Sequence, residues 1–128
     1  LPGIAGLRVG AQFALAHRQE IEQYEEYLAH RLRTGLQNIS GVRVLGAEHC
    51  SRVGVVSFLV DGFDLGDVAD RLDKAGFALR SGLHCAPSIH SWLGTLSSGA
   101  CRASVGIYNT EEDIDQFLTA LSRLIREG

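Results

Sequence analysis

The stretch Leu79-Arg80-Ser81-Gly82-Leu83-His84-Cys85-Ala86-Pro87 holds a thiol, an imidazole and a guanidinium within six residues. Gly82 lets the chain turn sharply or move there, because it has no Cβ to clash. Proline favours the first position of a helix, so Pro87 opens a short helix and leaves Cys85 just outside it. At that point the positive end of the helix dipole, with Arg80 and His84 close by, favours thiolate over thiol. A nucleophilic sulfur on a mobile arm is the chemistry this pattern offers. The competing reading of an unpaired cysteine is an inert small hydrophobe, and that reading fits Cys50 and Cys101. A metal centre drawn from His49, Cys50, His84, Cys85, His90 and Cys101 lacks any Cys-x-x-Cys or His-x-x-x-His spacing, and none is expected.

A second stretch, Gly99-Ala100-Cys101-Arg102-Ala103-Ser104-Val105-Gly106-Ile107-Tyr108-Asn109-Thr110, sets Arg102 on a strand that feeds a loop and a helix cap. An arginine fork grips a carboxylate through two parallel hydrogen bonds, which a lysine cannot copy. A surface salt bridge is the plainer alternative for Arg102.

Elements must hold these groups in place. Ile4, Leu7, Ala11, Ala14 and Leu15 fall at helical spacing. After a polar break at His17-Arg18-Gln19, Ile21, Tyr24, Leu28, Leu32, Leu36 and Ile39 continue an amphipathic helix that Ser40-Gly41 ends. Val42-Arg43-Val44 reads as a short strand and Val53–Val60 as a buried one. Asp64 caps a helix that turns Leu65, Val68, Ala69 and Leu72 inward. Phe77–Arg80 and Cys101–Val105 read as strands, and Pro87–Leu93 as a brief helix. Thr110-Glu111-Glu112-Asp113 opens a last helix with Ile114, Phe117, Leu118, Leu121 and Leu124 inward. The expected fold is α+β, a small antiparallel or mixed sheet of three to four strands packed against helices, in a single domain over residues 1–128.

Composition narrows the function classes. A net charge of −3 with no basic block points away from nucleic acid. No apolar run reaches the roughly 18 residues of a membrane span. The opening Leu1-Pro2-Gly3-Ile4 has no basic region of the kind that begins a signal peptide, so none is expected. Three cysteines are an odd and sparse set, unlike a disulfide-stapled secreted domain, and a cytoplasmic setting is expected.

Together the two reactive stretches resemble the class V aminotransferase superfamily in its cysteine desulfurase branch. Arg80-Ser81-Gly82-Leu83-His84-Cys85-Ala86-Pro87 is similar to the short cysteine loop of type II desulfurases and desulfurase-like proteins. Gly94-Thr95, Arg102-Ala103-Ser104 and Tyr108-Asn109-Thr110-Glu111-Glu112 follow at the family's separation. Pro2-Gly3-Ile4-Ala5-Gly6-Leu7 resembles the helix that starts just after the family's phosphate-contacting threonine segment. The resemblance runs the length of the chain, and implies the C-terminal small domain of a fold-type I pyridoxal-phosphate enzyme.

What the resemblance implies is sulfur transfer. With pyridoxal phosphate as electron sink, a thiolate at Cys85 takes sulfur from L-cysteine, leaving L-alanine and a persulfide on the protein. Arg102 is implied as the clamp on the substrate carboxylate, Arg80 as a supporting substrate-binding group, and His84 as a helper in setting the thiol's protonation. The same clamp suits selenocysteine or a sulfinate. The family's Schiff-base lysine, its cofactor-stacking histidine and its pyridine-pairing aspartate lie upstream of the segment that matches residues 1–7. Lys74 is the sole lysine, expected on a solvated helix face and poorly placed to form an imine. No glycine-rich phosphate cradle is visible. The chain alone is therefore expected neither to hold the cofactor tightly nor to turn over. Two other readings stand beside this one. The first is an interaction module whose apolar helix around Ile4, Leu7 and Leu15 takes a second copy or a complementary large-domain chain. The second is a redox-responsive thiol domain.

Overall fold

A computed structural model describes residues 1–46 and 53–128. His49 and Cys50 lie outside the described residues. In chain order the elements are α1 (Pro2–Ala16), α2 (Arg18–Gln37), β1 (Val42–Val44), β2 (Val55–Val60), α3 (Leu65–Lys74), β3 (Arg80–Gly82), α4 (Pro87–Leu93), β4 (Ala100–Ser104) and α5 (Glu111–Glu127). The strands form a four-stranded antiparallel sheet in the order β1-β2-β4-β3. This is the expected α+β architecture, a small fold-type I pyridoxal-phosphate-enzyme-like domain.

Alternation along the strands separates the sheet into two faces. Val56, Phe58, Val60, Cys101 and Ala103 point to one side and are buried. Leu28, Leu32 and Leu36 of α2, Leu65, Val68 and Leu72 of α3, and Ile114, Phe117, Leu121 and Leu124 of α5 complete the core with them. Phe117 sits at its centre, edge-on to Phe58 and to Phe77 at ring separations of 6.4 Å and 5.8 Å. Local chemistry fixes where these helices begin. Asp64 accepts from the backbone N–H groups of Gly66 and Asp67 at the start of α3. Thr110 and Asp113 form a reciprocal capping box at the start of α5.

Three boundaries differ from the sequence reading. The strand expected at Phe77–Arg80 pairs instead at Arg80–Gly82. The reason lies in the end of α3: Gly76 takes a left-handed φ of 93°, and the Phe77 N–H donates back to the Leu72 carbonyl at 2.9 Å. That bond closes the helix in a Schellman-like cap, so Phe77 has no N–H left for a ladder. Its ring goes into the core. The strand expected at Val53–Val60 starts at Val55, and the one expected at Cys101–Val105 runs from Ala100 to Ser104. Within α2, Ile21 and Tyr24 are not part of the core; the Tyr24 hydroxyl donates to the Asn109 carbonyl at 2.8 Å instead. That contact ties α2 to the loop before α5.

The cysteine-bearing and arginine-bearing stretches are joined by a backbone contact. Gly82 and Gly99 both take left-handed φ, 110° and 68°, and a Cβ built on Gly99 would lie 2.6 Å from Gly82 backbone atoms. The loop leaving β3 can meet the start of β4 only because Gly99 has no side chain. Gly99→Ala should lower stability by about 2 kcal/mol or more, from strain and overlap combined. Urea unfolding measures it; an unchanged midpoint contradicts the assigned contact.

Candidate active site: a cysteine loop beside an arginine pair

The second face of the sheet carries the polar groups. In the β3–β4 register Arg80 stands directly opposite Arg102, and in the β2–β4 register Arg102 stands opposite Ser57. Arg80, Arg102 and Ser57 therefore form one rung across three strands, all on the side away from the helical core. Two cations directly opposite one another are unfavourable unless an anion lies with them. Arg102 carries a second sign of the same need. Its Nε is buried and finds no hydrogen-bond acceptor among the described residues. A buried donor left unpaired costs about 1–3 kcal/mol, which an incoming carboxylate would recover.

Cys85 lies on the loop that leaves this rung. It is exposed, and both it and His84 sit in the left-handed region, with φ of 58° and 50°. Non-glycine residues adopt that conformation at a cost, and consecutive ones persist only where neighbours hold them. His84 supplies such a hold. Its Nε2 lies 3.0 Å from the Ala100 carbonyl oxygen; a carbonyl can only accept, so Nε2 carries the proton. Burial moves the His84 imidazole below the ordinary histidine range. The Ala100 carbonyl pulls the other way, and the charges of Arg102, His90 and Arg80 add to the effect of burial. The ring is thus neutral at pH 7. Ala100 is two residues before Arg102, about 7 Å along an extended strand, so this bond brings the cysteine loop to the arginine rung.

Beyond Cys85, Ala86 occupies the N-cap position of α4 without a side-chain cap, and Pro87 is the first helical residue, as the sequence indicates. The far end of the loop is stapled to itself. Buried His90 shares a hydrogen bond of 2.8 Å with the Thr95 hydroxyl, and its ring centroid is 6.1 Å from that of His84. Sequence reasoning weighed His90 only as a metal ligand and Thr95 only as part of a family motif, and it passed over Ser57. Ser57 alone left a signal, as the one polar residue in Val55-Val56-Ser57-Phe58-Leu59-Val60.

The other described cysteine is built for inertness. Cys101 is fully buried, its thiol donates to the Leu65 carbonyl at 3.6 Å, and burial followed by the charge of Asp64 pushes it up to about 11. Lys74 closes α3 and is exposed, on a groove it shares with Asp64, Asp67 and Asp70. Among the described residues no three His, Cys, Asp or Glu side chains gather as a metal site, and no helix is long and apolar enough to cross a membrane.

Comparison with known proteins bears on the family and the fold. A family model for aminotransferase class V matches residues 1–117. A probable cysteine desulfurase of Xylella fastidiosa (strain 9a5c) is 39% identical over 128 residues, covering 97% of this chain and 29% of that protein. One from Synechocystis sp. is 41% identical over 110 residues, 84% of this chain and 26% of its own length. Among solved structures, apo cysteine desulfurase from Thermococcus onnurineus NA1 superposes with a TM-score of 0.83 at 34% identity, over 97% of this chain and 30% of that one. The Escherichia coli cysteine desulfurase CsdA, in an S-sulfonic acid form, gives 0.74 at 29% identity over 83% of this chain and 25% of that one. The chain thus spans between a quarter and a third of the length of these relatives. By sequence along most of its length, and by fold, it belongs to the aminotransferase class-V family.

Proposed function

We propose that residues 1–128 are the C-terminal, sulfur-accepting domain of a cysteine desulfurase, with Cys85 as acceptor and Arg102 as carboxylate clamp. One observation carries this reading: an exposed cysteine, held in a strained loop, is bonded through its neighbour to the strand that presents a buried, acceptor-less arginine Nε. Arg102 would take the substrate carboxylate through its fork, with Arg80 across the ladder adding charge and Ser57 offering a hydroxyl on the same rung. That grip orients the amino acid so that its sulfur faces the Cys85 arm. The Cys85 thiolate attacks that sulfur, an S–S bond forms, and the carbon–sulfur bond breaks with its electron pair left on carbon. A proton then completes alanine, and Cys85 keeps the sulfur as a persulfide.

Pyridoxal phosphate is the family's cofactor, and it supplies the sink that makes such a carbon–sulfur bond breakable. The residues present do not fit its attachment. The single lysine lies in a groove with Arg71 and three aspartates, and it is not on the rung with Arg102. The cofactor site therefore belongs to another polypeptide segment, and the chain alone has no turnover.

The α1 helix supports the same division of labour. None of its residues is buried, and Ile4, Leu7 and Leu15 are each more than 70% exposed. A lone helix of this length is marginal in water, so α1 packs against something else. The occupant we assign is a complementary large-domain polypeptide, since the relatives are about three times as long as this chain.

Mixing the chain with such a large domain, pyridoxal phosphate and L-cysteine should place one extra sulfur on Cys85, read by intact-mass and peptide spectrometry. Omitting the large domain, or introducing Cys85→Ser, should abolish it. Arg102→Lys should reduce it by at least about tenfold, because lysine keeps the charge and loses the fork. Sulfur on the chain without the large domain, or full transfer in Arg102→Lys, would contradict the assignment. Sedimentation velocity should show the chain entering a one-to-one complex with the large domain. Strong self-association that the large domain does not displace would rule out this role for α1.

A further inference from the structure

We infer that His84 is a positioning residue for sulfur transfer, whose Nε2–H clips the Cys85 loop onto the strand that carries Arg102. This rests on the Cys85–Arg102 reading above and adds what keeps the two together. The argument starts from cost. His84 and Cys85 are the two described non-glycine residues with left-handed φ, and they are adjacent. Each such residue is disfavoured by about 1–2 kcal/mol, so a loop free to relax would leave that conformation. Little else restrains it. The Cys85 side chain is exposed, and the neighbouring Ala86 N–H makes only a local turn to the Leu83 carbonyl at 2.9 Å. The bond from His84 to Ala100 is the long-range tie from this segment to the sheet.

The partner of that tie is as informative as the bond. Ala100 is buried, pairs with Gly82 at the end of β3, and precedes Arg102 by two residues on β4. Binding its carbonyl folds the loop back over β4, the neighbour of the strand it has just left. His90, itself buried and held by Thr95, packs its ring against that of His84 and limits where it can swing. The clip needs a donor at Nε2 and does not need a charge. Arg80, Arg102 and His90 all oppose a positive charge on His84. An uncharged donor of similar reach should therefore serve in its place.

Two alkylating reagents that differ only in charge test this without any cofactor or turnover. The ratio of Cys85 alkylation by anionic iodoacetate to that by neutral iodoacetamide reports whether the sulfur sits in the field of the arginine pair. Peptide mapping gives the rate at Cys85, and protection of buried Cys101 in the same molecules verifies folding. In the native chain the ratio should exceed that of the urea-unfolded chain by about tenfold at low salt. His84→Ala should bring it down to the unfolded value while Cys101 stays protected. His84→Gln, whose amide can still donate to Ala100, should keep most of the enhancement. An enhanced ratio that survives His84→Ala overturns the clip and leaves the Cys85–Arg102 site standing. Failure of His84→Gln to restore what His84→Ala loses also overturns it. A native ratio no higher than the unfolded one overturns both the clip and the site.

Discussion

Arg80 and Arg102 face each other across adjacent antiparallel strands, and no backbone-level reason requires two guanidinium groups there. Like charges at directly opposed positions raise the energy of a sheet, and the buried, unpaired Nε of Arg102 raises it further. The protein carries this cost in a domain where the starts of α3 and α5 are matched locally, by Asp64 and the Thr110–Asp113 box. A carboxylate is the ligand that would remove both penalties at once, by sharing charge between the two arginines and accepting from the orphaned donor.

The rest of the fold can be understood as support for that rung. Packing α2, α3 and α5 on one face of the sheet leaves the opposite face available for polar groups. The register of β3 on β4 places Arg80 against Arg102 and sends the chain past Gly82 toward Cys85. Gly82 and Gly99 permit the close approach of the two stretches, and His84 returns the loop to Ala100. Cys101, one residue from Arg102, points to the core and is chemically quiet. Two cysteines in a small domain thus have opposite properties, because strand alternation buries one and a strained loop exposes the other.

Much of this was readable from the sequence, and the limits follow from range. Helix starts depend on contacts within three or four residues, so Asp64, Pro87 and Thr110 marked them correctly. The reactive loop was also legible, since glycine before and proline after a cysteine constrain its backbone locally. Phe77 misled because its N–H is consumed by the end of α3 and its ring by Phe117; both partners are tertiary choices. Ser57 stayed hidden for a similar reason: only strand register reveals that it shares a rung with Arg102. The left-handed pair at His84 and Cys85 could not be foreseen either, because that conformation is uncommon for any residue but glycine and only the long-range bond to Ala100 requires it here.

The central claim is that Arg102 presents a carboxylate grip beside Cys85, and the Nε–H resonance of Arg102 reports on it directly. Assigned by its disappearance in Arg102→Lys, that resonance can be followed by proton–nitrogen correlation spectroscopy while the chain is titrated with acetate. The account predicts a saturable shift with acetate and none with chloride at equal ionic strength. A resonance indifferent to acetate, or one that moves equally with both salts, would show that the grip is not there.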